Sequence, residues 1–181
     1  MGYTTSFYAV DLDDLRSVIG TQDAALPAAL KAEFADDIAD SAAWHSDRID
    51  DGAPTLDQAL TQLLHGDALD AAHGFQYGYA LELLCRHFGA RVDDDDIGFV
   101  AQLGLQTSLN ADHRLPIALP KPEDFPSINY LTRVELPEEL ARLEAQTRQT
   151  RDKGLAEAQR GLLEILRAVI AGGQDLVTFT Y

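Results

Sequence analysis

The best candidate for a metal site in the sequence is a group of two histidines and two aspartates within nine consecutive positions: His65, Asp67, Asp70 and His73. Imidazole nitrogens and carboxylate oxygens are both zinc ligands, and a loop after a helix could turn all four toward one cation. Zinc motifs normally carry closer His or Cys pairs, which are missing here. These four are the metal candidates, and helix capping by solvated acids is the simpler interpretation.

A run of four acids, Asp93, Asp94, Asp95 and Asp96, is the second place where a cation could bind. A calcium-binding EF-hand requires acids at alternating positions, a central glycine and a final glutamate, and the sequence from Asp93 onward does not complete that pattern. We therefore interpret the run as an exposed acidic loop.

No pattern in the sequence supports a nucleophilic active site. Cys85 and His87 are two positions apart on a predicted helix, so their side chains point about 200° away from each other; we expect Cys85 to be a buried structural thiol. The stretch Trp44–Asp47 contains the side-chain types of a hydrolytic triad, but adjacent residues seldom converge and no Gly-x-Ser-x-Gly elbow exists. Glycine-rich phosphate loops are also missing. We assign no catalytic residue and no cofactor.

The charge of the chain is strongly negative and unevenly distributed. Fourteen basic and thirty acidic residues give a net charge of −16, of which residues 1–132 carry −15. Such a surface repels phosphate backbones, so we expect no nucleic-acid binding, and it favours a basic protein partner. No apolar run is long enough to span a membrane, and we expect neither membrane association nor a secretory leader. One cysteine suits a reducing cytoplasm.

The positions of apolar and turn-forming residues predict the elements. Alternation or β-branched content predicts strands at Tyr3–Val10, Leu115–Leu119, Ile128–Val134 and Gln174–Tyr181. Helical spacing predicts helices over Leu12–Gly20, from Asp23 to about Ile38, over Leu56–Leu64, over Gly74–Gly89 and from Leu136 onward. Whether residues 137–171 form one helix or break near Gly154 stays open, as does the structure of residues 97–114. Residues 36–54 lose the apolar rhythm and are interpreted as an exposed loop.

Strands at both ends of the chain with helices between them indicate an α+β fold. We predict a single domain over residues 1–181, with a small mixed sheet formed by the two termini and the 115–134 region and packed by four to six helices. The Thr55/Gln58 capping box and the glycines at Gly66 and Gly172–Gly173 are the clearest helix boundaries.

Three blocks of the chain carry a resemblance to a known family: the opening Met1–Leu15, the helix Gln76–Gly89 and the segment Asp124–Thr132. Together they resemble an actinobacterial family described as a domain of unknown function. The opening strand, the Leu56–Leu60 helix and the final helix with its strand are also similar to the YfbM-like bacterial proteins. The resemblance implies a small cytoplasmic bacterial α+β domain and assigns no catalytic residue.

These observations predict a non-enzymatic, acidic interaction protein of immunity type or regulatory type. Its expected contact residues are Trp44, Asp47, Asp50, Asp51 and the four acids Asp93, Asp94, Asp95 and Asp96. The alternative is a small-molecule or metal-dependent enzyme with a polar pocket around His65, His73, Asp112 and His113. A third hypothesis is a homo-oligomer that associates through the C-terminal helix.

Overall fold

The structure is a computed structural model, and it describes residues 4–23, 25–92, 100–110 and 114–181. The acidic run Asp93–Asp96 and the pair Asp112 and His113 lie outside these residues. The described chain divides into two compact units. The sheet unit comprises Met1–Leu12, Gly89–Pro116 and Ser127–Tyr181, and the helical unit comprises Asp13–Phe88 and Ile117–Pro126. The single domain over residues 1–181 stays a prediction.

The described residues form eight α-helices and four β-strands. The helices are α1 (Leu12–Ser17), α2 (Ala25–Glu33), α3 (Ala35–Trp44), α4 (Ser46–Asp50), α5 (Leu56–His65), α6 (Gly74–Phe88), α7 (Leu136–Thr147) and α8 (Lys153–Gly172). The strands are β1 (Thr5–Val10), β2 (Gly89–Arg91), β3 (Ser127–Leu131) and β4 (Asp175–Thr180). Short 3₁₀ turns lie at Ala71–His73, Val100–Leu103 and Ser108–Asn110, the last two within the stretch left undecided by the sequence.

The sheet has the order β2-β1-β4-β3, and the α+β class with both terminal strands in one sheet is confirmed. β1 and β4 are its two central strands, paired from Thr5↔Thr180 to Val10↔Asp175, and every residue of both is buried. All pairings among the described strands are antiparallel, so the expected mixed sheet is corrected to an antiparallel one. The helix count of four to six is also too low, because segments expected to be loop or continuous helix form separate short helices.

The predicted edge strand Leu115–Leu119 is wrong: this segment consists of bends and irregular chain. Pro116 and Pro120 lie at its two ends, and a proline has no N–H to donate to a strand ladder. Ile117, one of the alternating apolar residues of this segment, is nevertheless buried.

Packing in the sheet unit places α7 and α8 against one face of the sheet. Phe7, Ala9 and Leu176 of the sheet share a buried cluster with the apolar stripe of α8. That stripe consists of Leu162, Ile165, Leu166 and Val169. The predicted helix from Leu136 breaks before Gly154, because the Asp152 carboxylate accepts the N–H of Leu155 at 2.8 Å and begins a new helix.

In the helical unit, α5 and α6 pack side by side. α5 has the predicted capping box at Thr55 and Gln58 and ends at Gly66, whose φ of 73° is left-handed. Tyr77 of α6 is fully buried, and its hydroxyl donates to Gln62 Oε1 at 2.7 Å. The helix predicted over Gly74–Gly89 is confirmed to Phe88, while Gly89 begins β2 rather than capping the helix.

Residues 36–54 are mostly helical, which corrects the predicted exposed loop. α3 buries none of its residues, so it has no apolar stripe for periodicity to detect. Its alanines and its two first-turn acids, Asp36 and Asp37, favour a helix even though no apolar stripe is present. None of the described helices combines the length and the hydropathy that a membrane crossing requires.

Candidate functional site

A groove in the helical unit lies between the exposed side of α3 and one side of α6. We call it the Trp44 groove; its volume is ≈ 600 Å³. Asp37, Asp40 and Trp44 line it from α3, and Tyr79 and Glu82 line it from α6. A volume of this size is typical of ligand-binding clefts in proteins.

Helical spacing explains why these side chains share the groove. Asp37, Asp40 and Trp44 are separated by three and four positions, so they follow one another along a single side of α3. Tyr79 and Glu82 have the same three-residue spacing on α6. The groove is therefore formed by two helical faces whose residues are about 40 positions apart in the chain.

A second, smaller cavity of ≈ 180 Å³ shares Trp44, His45 and Tyr79 with the groove. We call it the Phe75 cavity. The His45 ring lies 5.1 Å from the Phe75 ring and 5.3 Å from the Tyr79 ring, centroid to centroid. The Arg48 guanidinium lies 5.9 Å from the centroid of Phe75. The rings therefore form a continuous aromatic surface that links the two cavities.

Trp44 is the most exposed large apolar side chain among the described residues, with 85% of its surface accessible to solvent. Within the described part of the chain its indole has no ring partner and no cation above it. Most large aromatic side chains of a folded protein bury a substantial area, so an indole left in water beside a cleft marks a surface available for binding.

The carboxylates outnumber the cations in the groove. Asp37, Asp40 and Glu82 face one guanidinium, that of Arg86, which gives the lining a net charge of −2. Arg86 is held by Asp37 and also lies 4.7 Å from the centroid of the Phe34 ring. Its charge is thus compensated from within the unit.

Two pKa shifts describe the electrostatics at the ring surface. Burial raises the pKa of Tyr79, and the negative charges of Glu82 and Asp124 raise it further. Burial, followed by the positive charge of Arg48, lowers the pKa of His45 below its ordinary value of 6.5. At neutral pH His45 is therefore an uncharged aromatic ring, and the hydroxyl of Tyr79 keeps its proton.

The sequence-predicted contact residues Trp44, Asp47, Asp50 and Asp51 are all exposed and lie on α3, on α4 or directly after it. Their role as contacts stays a prediction. The other four predicted contacts, Asp93–Asp96, lie outside the described residues. Of the four predicted contacts that the structure describes, Trp44 alone lines the groove.

The metal candidates are brought together only in part. His73 Nδ1 lies 2.7 Å from Asp70 Oδ2, and the other carboxylate oxygen of Asp70 accepts the N–H of Ala72. The hydrogen bond from His73 is the main reason that the pKa of Asp70 lies below its ordinary value. Neither His65 nor Asp67 joins this pair. Over the described ranges, no three His, Cys, Asp or Glu side chains converge as a metal site requires.

The alternative pocket around His65, His73, Asp112 and His113 stays a prediction, because Asp112 and His113 lie outside the described residues. A separate polar cavity of ≈ 480 Å³ includes the metal candidate Asp70 in its lining. The other polar residues that line it include Lys31, Gln58, Gln62 and Tyr77. Its polar groups bond to one another: the Tyr77 hydroxyl accepts the N–H of Asp70 at 2.8 Å.

Cys85 and His87 point in different directions, as their spacing predicts. Cys85 is fully buried, and this burial, with a smaller effect from Glu82, raises the pKa of its thiol well above the ordinary value. His87 instead contacts Glu33, 2.6 Å away. The thiol is therefore a structural group.

Sequence reasoning missed most residues of the site, among them Asp37, Asp40, Phe75, Tyr79, Glu82 and Arg86. A helical projection of residues 35–44 would have placed both aspartates on the same side as Trp44. No local signal pairs that side with Tyr79 or Glu82, since the two helices come together only through tertiary packing.

The whole chain, residues 1–181, matches a family model described as "Domain of unknown function (DUF7691)". The protein belongs to this family. No curated protein and no solved structure matches the chain.

Proposed function

We propose that this DUF7691 protein is a non-enzymatic interaction protein that binds a basic protein through the acidic surface of its helical unit. The observation that carries the proposal is the exposed indole of Trp44, 85% accessible, among the acids of α3 and α4. The contact surface comprises Trp44, Asp47, Asp50 and Asp51. The acids Asp93–Asp96 are a second proposed contact.

The charge distribution supports a basic partner. The helical unit contains 16 of the 30 acidic residues and 5 of the 14 basic ones, a net charge of −11, against −5 for the sheet unit. A surface with such a charge attracts an oppositely charged protein over a distance and raises the rate of their encounter. The same charge opposes nucleic acid.

Trp44 supplies what charge alone lacks, which is a slow dissociation rate. Exposed ion pairs contribute little affinity because water and salt screen them. A tryptophan that becomes buried at an interface is frequently among the few residues that dominate its free energy. Acids around one aromatic anchor are therefore suited to fast and specific association.

The proposal includes a bacterial cytoplasmic setting and an immunity-type or regulatory role, in which an acidic protein neutralises or controls a basic one. The actinobacterial relationship and the similarity to YfbM-like proteins belong to the same proposal. Its physical support is the single cysteine, which is buried and leaves the chain without an internal disulfide, as suits a reducing compartment.

The test is capture of binding proteins from native lysate at low salt, with wild-type protein and two triple variants of equal charge. One variant carries Asp47→Asn, Asp50→Asn and Asp51→Asn. The control carries Glu138→Gln, Glu157→Gln and Glu164→Gln on exposed positions of α7 and α8. We expect a basic protein that salt releases, that the first triple binds about tenfold more weakly, and that the control binds within about twofold. Recovery of no basic protein contradicts the proposal.

A further inference from the structure

We infer that the Trp44 groove is the receptor for one arginine side chain of a peptide segment of the partner. In this arrangement the guanidinium stacks on the indole of Trp44 and faces Asp40 and Glu82. The inference rests on the proposed function and deepens it, because it names the side chain that the basic partner inserts and the place that receives it.

The distribution of charge within the groove selects a cation. Asp37 uses both carboxylate oxygens on Arg86, at 2.5 Å and 3.2 Å. The other two carboxylates of the lining belong to Asp40 and Glu82, so the described lining has three carboxylates and one guanidinium. Burial is the main reason that the pKa of Tyr79 is raised, and the negative charges of Glu82 and Asp124 raise it further, so negative potential reaches this ring of the groove. An inserted guanidinium neutralises this potential.

The aromatic lining selects a flat cation. This unit already places its own guanidinium groups on rings: Arg86 lies 4.7 Å from the centroid of Phe34, and Arg48 lies 5.9 Å from that of Phe75. Trp44, the strongest cation–π acceptor of the common side chains, has no cation over it within the described chain. Arginine stacks on such a ring and forks toward carboxylates, and it is more weakly hydrated than lysine.

The same criteria exclude the Phe75 cavity as the site of insertion. That cavity is smaller, ≈ 180 Å³ against ≈ 600 Å³, and Arg48 already lies over its principal ring. Its lining holds two carboxylates, Glu123 and Asp124, against the guanidinium of Arg48, so its net charge of −1 is less negative than the −2 of the groove. The incoming side chain is therefore placed on the α3–α6 side of Trp44.

Trp44 is the only tryptophan in the chain, so its fluorescence reports directly on the groove. The probes are blocked Gly-Ser peptides with one central arginine, lysine or citrulline, the last being a neutral analogue of arginine with nearly the same shape. We expect the arginine peptide to change the emission and shield the indole from a collisional quencher. We expect binding about threefold weaker for lysine and at least about tenfold weaker for citrulline.

Variants localise the effect. By calorimetry, Trp44→Ala and Asp40→Asn should each weaken binding of the arginine peptide about fivefold or more. Asp67→Asn removes the same charge from an exposed position that lines neither cavity and should change binding less than about twofold. Far-UV circular dichroism checks that each variant is folded, which is expected since Trp44, Asp40 and Asp67 are all exposed.

Equal binding of the arginine and citrulline peptides, or equal effects of Asp40→Asn and Asp67→Asn, would overturn the inference. The proposed function would then still stand if lysate capture yields a basic partner that depends on Asp47, Asp50 and Asp51. Conversely, a groove that binds the arginine peptide as described, in a protein that captures no basic partner, would contradict the proposed function alone.

Discussion

The carboxylate of Asp37 accepts hydrogen bonds from both terminal nitrogens of Arg86, at 2.5 Å and 3.2 Å, across 49 positions of chain. This pair joins α3 to α6 at the Trp44 groove and neutralises one of the acids that line it. Both side chains are more than one-third exposed, so solvent screens the pair and its contribution to stability is modest. Its larger effect is to make the lining of the groove less negative.

Arg86→Gln should therefore tighten the binding of an arginine peptide. The change releases Asp37 and removes the one Arg or Lys among the described residues that line the groove, so the net charge of the lining falls from −2 to −3. We expect a dissociation constant about two- to fivefold lower at low salt, measured by calorimetry. Lys31→Gln, which removes an equal charge from outside the groove, is the matched control and should have a smaller effect. Weaker binding by Arg86→Gln would show that Arg86 supports the site rather than opposing a cation.

Gly66→Ala should destabilise the helical unit more than an equivalent change at another helix end. Gly66 has a φ of 73°, and an added Cβ would lie 3.0 Å from the Cα of Gly20. Gly173 ends α8 with a φ of 67°, but its Cβ would have no neighbour within 4 Å. Each alanine incurs a left-handed backbone cost of about 1 kcal/mol. We expect a further loss of about 1 kcal/mol for Gly66→Ala alone, measured by urea unfolding, because of the close contact.

The Cys85 thiol should be inert in the native protein. It is fully buried and its pKa is raised, so the fraction present as reactive thiolate at neutral pH is very small. Reaction with a thiol-specific disulfide reagent should be slow in buffer and complete within minutes in concentrated denaturant. Rapid native labelling, at the rate of a free cysteine, would mean that the packing of α6 differs from the one described.

We expect the stability of the sheet unit to depend on pH through the ionisation of Glu135. Partial burial alone would raise its pKa, but hydrogen bonds from Thr132 and Arg114 outweigh that effect and lower the pKa from 4.5 to about 2. A carboxylate whose pKa is lowered by folding stabilises the protein above about pH 4.5, and this contribution disappears as the pH falls toward 2. Because the side chain is 39% exposed, screening reduces the effect to about 1 kcal/mol.

Glu135→Gln should accordingly lower the free energy of unfolding by about 1 kcal/mol at pH 7, and the difference from wild type should shrink below pH 4.5. Urea unfolding across this pH range measures it. Glu164→Gln, at an exposed position in the middle of α8, is the control and should be nearly neutral at every pH. A difference that grows as the pH falls would contradict the assigned shift.

The fold could be predicted where local chemistry decides the structure. Thr55 with Gln58 begins α5, Gly66 ends it, and the alternation before Tyr181 forms β4, because caps and period-two patterns act within a few residues. β2 escaped prediction since three residues are too few to show alternation. The helices α3 and α4 escaped because apolar periodicity reports burial, and neither helix buries a residue.

The candidate site was predictable only at one residue, Trp44. An exposed tryptophan in an acidic stretch is visible in sequence, whereas its approach to Tyr79 and Glu82 follows from how α3 and α6 pack around the start of α5. Leu56, almost fully buried at that start, lines the groove between them. The approach of these residues depends on tertiary packing, and no local sequence pattern predicts it.

The most direct measurement is amide chemical-shift mapping of the isotopically labelled protein during titration with the arginine peptide. If the Trp44 groove is the binding site, the perturbed amides should concentrate on α3 around Asp40 and Trp44 and on α6 around Tyr79 and Glu82, and the citrulline peptide should leave them unchanged. Perturbations spread evenly over all acidic surfaces, or confined to α7 and α8, would contradict an arginine receptor at Trp44.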